Sequence, residues 1–191
     1  MESKRDDDAL MMGVAQGEEA AFRLLVQRWE GQVLAFAIHM LGSREEAEDL
    51  VQDTFVKVFR SAAGYRASGQ FHGWLFRIAG NLARSKLRRR KIVRWISFDP
   101  AAHETAGPGP TPEEVLMAGQ TAGQVQAALA RLPGRQRQAL VLHRFQGMRY
   151  KEIAVTMQTS LAGVESLIQR GMVALRQDLV QEMAEPRGEK R

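Results

Sequence analysis

The sequence predicts an all-α protein: two small helical domains joined by a flexible Pro/Gly-rich linker, the C-terminal one a helix-turn-helix. Apolar residues recur at three- and four-residue spacing on both sides of the linker, which is the period of a helix with one buried face. Four of the six prolines lie between Pro100 and Pro112. The run Gly107-Pro108-Gly109-Pro110-Thr111-Pro112 suits neither a helix nor an interior strand, because each proline lacks the backbone donor that both require. No segment of useful length alternates as a half-buried strand would, and no internal repeat is present.

In the first domain (1–96), Phe22, Leu25, Val26, Trp29, Val33, Phe36, Ala37 and Met40 share one face of a helix of about 20 residues that Gly42 can end. Ser43 and Glu46 have the spacing of a capping box for a second helix. That helix is expected to bury Ala47, Leu50, Val51, Phe55, Val58, Phe59 and Ala62, with Gly64 closing it. A third places Phe71, Trp74, Leu75, Ile78, Ala79 and Leu82 on its apolar side and runs on through Lys86 to Lys91. The linker is read as 97–112, its prolines favouring extended conformations that let the flanking modules sit well apart on one long ligand.

The second domain (113–182) opens on Thr111-Pro112-Glu113-Glu114, a capping box with proline at the first helical position. Leu132-Pro133-Gly134 breaks the helix that follows, and the next runs from about Arg135 to Phe145. A short helix from about Tyr150 to Met157 and a final one capped by Ser160, carrying Val164, Ile168, Met172 and Leu175, complete the pattern. A short helix, a tight turn and a longer helix make a helix-turn-helix. Ala154 is small enough to let the two helices cross, and residues 183–191 are expected to be a disordered tail.

Composition narrows the function. The chain has no cysteine, which excludes disulfides, cysteine-zinc sites and thiol catalysis. Its first eight residues are too charged for a secretory signal, and the longest apolar run, around Val33 to Leu41, is broken by His39 and too short to span a bilayer. A cytoplasmic protein without direct membrane insertion is expected. The net charge of +5 is unevenly spread: seven basic and twelve acidic residues over 1–64, nine and none over 65–98, none and four over 99–130, eleven and six over 131–191. Two basic blocks suit two separate contacts with a polyanion, and an acidic surface remains for a basic protein partner.

Within the basic blocks, Arg77, Asn81, Arg84 and Arg88 fall at steps of four, three and four along the third helix and form a ridge. Tyr65, Phe71, His72 and Trp74 lie just upstream, and cations beside aromatics are what single-stranded nucleic acid needs; Trp74 itself is read as core. On the final helix Glu165, Ser166, Gln169 and Arg170 project together, side chains able to meet base edges or phosphates in a major groove. Glu45, Glu48, Asp49, Gln52 and Asp53 form an exposed acidic side on the second helix, read as a docking surface, since an open helix lacks the burial that separates carboxylate pKa values for acid-base work. His39, His72, His103 and His143 are scattered without ligand spacing, and there is neither a phosphate-cradling glycine loop nor a nucleophile-base pair. No catalytic site, metal or cofactor is expected.

At this point the residues resemble a known family. Glu48-Asp49-Leu50-Val51-Gln52-Asp53-Thr54-Phe55, followed by Phe71 through Asn81, resembles conserved region 2 of extracytoplasmic-function (ECF) sigma factors. Leu132-Pro133 through Arg137, Tyr150 through Ala154 and Val164 through Arg170 resemble region 4, and the likeness spans about residues 18–178 in the same order.

The resemblance implies an alternative sigma factor that binds core RNA polymerase and directs transcription from particular promoters, under the control of an anti-sigma factor, often membrane-anchored. It implies polymerase contacts by Glu48, Asp49, Leu50, Gln52, Asp53 and Phe55. The -10 promoter element would be captured by the loop from Tyr65 to Gln70, including Arg66, and by Arg77, Asn81, Arg84 and Arg88. Promoter duplex at the -35 element would meet Ser160, Glu165, Ser166, Gln169 and Arg170. RNA synthesis itself would belong to the core enzyme. The competing expectation is a stand-alone helix-turn-helix regulator, which accounts for the C-terminal half only and binds an operator unaided. Ser85, Gln158, Gly163 and Gly171 depart from the family's usual aspartate, glycine, threonine and alanine. Each of these glycines is expected to cost its helix ~1 kcal/mol relative to alanine.

Overall fold

The computed structural model describes residues 6–96 and 112–184, side chains excepted for 93–96, 112–121 and 181–184. Among the described residues the chain forms α-helices and one 3-10 turn, with no strand. In order they are α1 (Asp7–Ala15), α2 (Glu19–Leu41), α3 (Arg44–Arg60), a 3-10 turn (Ala62–Gly64), α4 (Phe71–Ile96), α5 (Pro112–Arg131), α6 (Gly134–Arg144), α7 (Tyr150–Met157) and α8 (Leu161–Ala184). The expected linker lies outside the described residues apart from Pro112, which begins α5, and so does Thr111 of the expected capping box. α8 continues through 183 and 184, which were expected in the tail.

Local chemistry sets most of the boundaries. Gly42 ends α2 in the left-handed conformation at φ 75°, its N–H donating to the Ile38 carbonyl at 2.8 Å, the conformation that glycine adopts without steric cost. The Ser43 hydroxyl accepts the Glu46 N–H at 3.4 Å. The second half of the expected capping box goes elsewhere, because the Glu46 carboxylate is engaged by Arg90 of α4, whose Nε donates to it at 3.0 Å. At the far end of the molecule the Ser160 hydroxyl caps α8 by accepting the Gly163 N–H at 3.0 Å.

The element that the periodicity did not show is α1. Asp6 caps it by accepting the Ala9 N–H at 2.7 Å, and Leu10, Met11 and Val14 pack inward while Asp7 pairs with Arg28 of α2 at 2.5 Å. The core of the first four helices is aromatic at its centre: Phe36 meets Phe76 edge-on at 5.2 Å, and Trp29 lies against Phe71, His72 and Phe76. Phe59, expected in this core, is 56% exposed and rests on Phe22 at its edge; Met172 of α8, also expected inside, is 40% exposed.

The two halves do not stand apart. One apolar cluster runs from Leu10 through Ala83 and on through Leu129 to Ile168, and three features let α5, α6 and α7 close on α2 and α4. Gly80 presents bare backbone to the Gln138 side chain, leaving no room for a methyl group as they stand, and Gly73 lies close to Thr156, whose hydroxyl would be 3.0 Å from an added Cβ. Gln126 of α5 donates to the Ile38 carbonyl at 3.1 Å. Arg137 of α6 donates to Met40 at 2.6 Å and also to the carbonyls of Ala130 and Leu132. Carbonyls in the last turn of α2, at Ile38 and Met40, thus receive side-chain donors from the other half of the chain, while Arg90 of α4 serves that of Leu41.

Candidate nucleic-acid interface

Three surfaces carry the residues singled out by the sequence. On α3, Glu48, Asp49, Gln52 and Asp53 are exposed. Arg44 holds Glu48 at 2.9 Å and Lys86 approaches Asp49 at 3.4 Å, weak surface pairs that leave the face acidic. Leu50 and Phe55, expected on the same surface, are instead buried in the core, at 0% and 5% exposure. Val56 and Phe59, at 47% and 56% exposure, continue the acidic row along the same side of the helix. Their signal was present as a continuation of the 49–52–53 spacing by three and four residues, but apolar side chains in that register read equally well as core.

The second surface is the loop from Tyr65 to Gln70 with the adjoining face of α4. Tyr65 packs edge-on against Trp74 at 4.9 Å and Phe71 at 6.1 Å, and Arg66 is exposed. Trp74, expected as core, is half-buried and helps line a cleft. The four-residue ridge divides. Asn81 and Arg88 are exposed, whereas Arg77 and Arg84 are partly covered where α6 and α7 lie on α4. Burial, with Arg135 of α6 and Arg88 adding repulsion, pulls the Arg84 guanidinium below its usual pKa; Arg84 leans on Asn81 through a bond of 2.5 Å. Between the loop and α7 the cleft measures about 590 Å³, with Tyr65, Arg66, Trp74 and Arg77 on one wall and Lys151 and Glu152 on the other.

The third surface is the helix-turn-helix. Glu165, Gln169 and Arg170 are exposed and Ser166 half-exposed on one side of α8, with Ser160 exposed at its start. Val164, Ile168 and Gly171 form the opposite, buried side. The turn is tight because Gln158 takes the left-handed conformation at φ 50°, ψ 58°, an unusual choice for a residue with a Cβ. The two glycines expected only to weaken α8 have steric work to do. A Cβ on Gly171 would lie 2.7 Å from Leu140 Cδ1, and one on Gly163 would lie 2.7 Å from the Thr159 hydroxyl.

Arg137, missed from the sequence, joins the halves without forming part of any of these surfaces. It is 4% exposed, and burial lowers its pKa to about 10. Its sequence signal was one arginine among several in a basic stretch.

Residues 25–92 match the family model for sigma-70 region 2, and residues 122–175 match sigma-70 region 4. The chain is 36% identical over 174 residues to the ECF RNA polymerase sigma factor SigE of Mycolicibacterium smegmatis, covering 90% of this chain and 67% of that one. It is 31% identical over 177 residues to the ECF RNA polymerase sigma-E factor of Haemophilus influenzae, covering 89% and 93%. Among solved structures it is similar to CnrH in complex with the cytosolic domain of CnrY, at 28% identity, TM-score 0.66 and coverage of 92% and 97%. It is also similar in fold to the sigma factor RpoE of Bartonella quintana in complex with the anti-sigma factor NepR, at 24% identity, TM-score 0.63 and coverage of 83% and 96%. The chain belongs to the ECF sigma factors of bacterial RNA polymerase.

Proposed function

We propose that this chain binds core RNA polymerase and directs it to a particular set of promoters, with residues 1–96 acting as the region-2 unit and 113–182 as the region-4 unit. The observation that carries the reading is the pair of polar faces, one on α4 with its preceding loop and one on α8, set on the two units that match sigma-70 regions 2 and 4 in order. The exposed Glu48, Asp49, Gln52 and Asp53, extended by Val56 and Phe59, are the surface offered to the polymerase. Tyr65, Arg66, Arg77, Asn81, Arg84 and Arg88 take the -10 element as its strands part. The arginines neutralise backbone phosphate and the neighbouring aromatics stack on unpaired bases. Ser160, Glu165, Ser166, Gln169 and Arg170 meet the -35 element as duplex.

The chain performs no bond-making step: it binds the opened promoter better than the closed one and so shifts that equilibrium, while the core enzyme makes RNA. It works in the cytoplasm; among the described residues no helix is long and apolar enough to cross a membrane. Control by an anti-sigma factor fits the two structural relatives, each solved with a protein partner, and a membrane-anchored partner would hold the chain at the inner membrane.

The test is transcription by purified bacterial core polymerase from fragmented genomic DNA, with and without this protein. Discrete new start sites sharing two upstream elements are expected. Asp49→Lys with Asp53→Lys should lower affinity for the core by at least about tenfold through charge repulsion. Unchanged transcripts and stable operator binding by the protein alone would overturn the reading.

A further inference from the structure

The helix α1 lies outside the matched region-2 span of 25–92, yet it reaches the loop assigned to -10 recognition. Asp8 accepts the Tyr65 hydroxyl on Oδ1 at 2.5 Å and the Gly69 N–H on Oδ2 at 2.6 Å. One carboxylate thus bridges the first residue of the loop and its last turn, where Gly69 is left-handed at φ 68°. Residues 66–70 are all exposed. Among the described residues, what fastens 66–69 to the body of the protein is this carboxylate, and Tyr65 adds its packing on Phe71 and Trp74.

The anchor itself is firm. Leu10 and Met11 are fully buried, and Asp7 is tied to Arg28 on α2. Burial disfavours the Asp8 carboxylate, but the hydrogen bonds from Tyr65 and from the Gly69 and Ser68 backbone outweigh it and hold its pKa below the usual value. It is therefore ionised at neutral pH, the form that accepts on both oxygens.

We propose that Asp8 is a positioning residue for -10 recognition: through this one side chain the N-terminal helix sets the shape of the Tyr65–Gln70 loop and hence which unpaired bases it accepts. Asp8 acts through Tyr65 and the loop backbone and need not touch DNA. The proposal rests on the sigma-factor reading above. Its distinctive consequence is that a change in α1 alters selectivity at one promoter element and leaves the other alone.

The experiment uses the full chain reconstituted with bacterial core polymerase on two promoter libraries, one randomised at the -10 element and one at the -35 element. Asp8→Ala is expected to narrow the spread of transcription across -10 variants by about tenfold, the scale of losing hydrogen bonds to a charged acceptor. The spread across -35 variants and the affinity for core should not change. Asp8→Asn, which keeps an acceptor oxygen, should fall between Ala and the natural residue. Tyr65→Phe removes the shared bond while keeping the ring, so it decides the matter should Asp8→Ala fail to fold. Combined with Asp8→Ala it should cost less than the product of the single effects.

Undiminished -10 selectivity in Asp8→Ala and Tyr65→Phe would overturn the proposal. So would parallel losses at both elements and in core affinity, which would mark a merely structural role. If the natural protein itself directs no discrete starts, the failure belongs to the sigma-factor reading.

Discussion

The two faces proposed to meet nucleic acid differ in how freely they are displayed. On α8, Glu165, Gln169 and Arg170 stand in solvent, and the buried Val164, Ile168 and Gly171 behind them belong to the same half of the molecule. On α4, Arg77 and Arg84 are half-covered by the other half, and the cleft beside Tyr65 is closed on one side by Lys151 and Glu152 of α7. The face proposed to read duplex stands open in the free protein, whereas full use of the face proposed to capture the parted strand requires α6 and α7 to move away. The docked arrangement is stabilised by few polar anchors, so it can be broken selectively.

The largest effect is expected at Arg137. Its guanidinium is buried without a carboxylate partner among the described residues and serves carbonyls on both halves, those of Met40, Ala130 and Leu132. Arg137→Ala takes the donor from the Met40 and Leu132 carbonyls in buried surroundings, and should weaken docking and overall stability together by about 3 kcal/mol. Urea unfolding measures the stability. Small-angle scattering should show the folded protein expanding, and unchanged dimensions and stability would mean that the anchor is dispensable.

A wedge at Gly80 separates opening from loss of an anchor. A Cβ there would clash with the end of the buried Gln138 side chain, so Gly80→Leu must displace that side chain and is expected to loosen α6 on α4, at about 2 kcal/mol of docking free energy. α4 itself gains helix propensity from the change. Isolated Gly80→Leu protein should therefore bind single-stranded DNA more tightly than the natural chain while duplex contacts through α8 stay the same. Equal binding in both proteins would show that the closed packing does not hide the α4 face.

Two positions that depart from the family pattern are expected to respond in opposite ways to restoring it. Gln158→Gly relieves the left-handed backbone at φ 50° and should stabilise the helix-turn-helix by about 0.5–1 kcal/mol, a rise in Tm of roughly 2–3 °C. Gly171→Ala, which intrinsic propensity favours, must push aside the buried Leu140 at 2.7 Å and should bring no gain in Tm. A higher Tm for Gly171→Ala would mean that Leu140 yields freely.

These positions also show what was legible in the sequence. The glycine stop at 42, the break at Leu132-Pro133-Gly134, the short helix from Tyr150 to Met157 and the Ser160 cap were readable because each is a local event, governed by residues within one turn of each other. The polar side of α8 was readable for the same reason. Phe59 and Met172 kept a helical period yet lie at the edge of the packed area, and period alone does not say where a core stops. Asp8, Arg137 and the bare backbone at Gly80 gain their meaning from partners 57 or more residues away, in contacts with no local pattern. Leu50 and Phe55 entered the polymerase surface from the resemblance, whose conserved stretch mixes residues that touch a partner with residues that hold the helix in place.

The smallest expected effect is a dependence of docking on pH. His39 stacks on Phe145 at 3.8 Å and meets Gln126 at 3.2 Å, both from the other half, and burial lowers its pKa although Gln126 opposes the shift. His72 stacks on Trp29 and lines the cleft facing α7; burial lowers its pKa, against the pull of Glu152 and Asp7. Both rings thus take up a proton less readily in the docked state than when released to solvent, where the ordinary value is about 6.5. The docked state binds fewer protons than the parted one, so docking is favoured as pH rises and weakens as pH falls through and below about 6.5. Because the chain has no cysteine, a pair of introduced cysteines on α3 and α8 can carry dyes that report the separation by energy transfer. Separation should increase between about pH 7.5 and 5.5, and His39→Gln together with His72→Gln should flatten the profile. A separation independent of pH in the natural chain would show that both rings are already free to protonate while α6 and α7 remain docked.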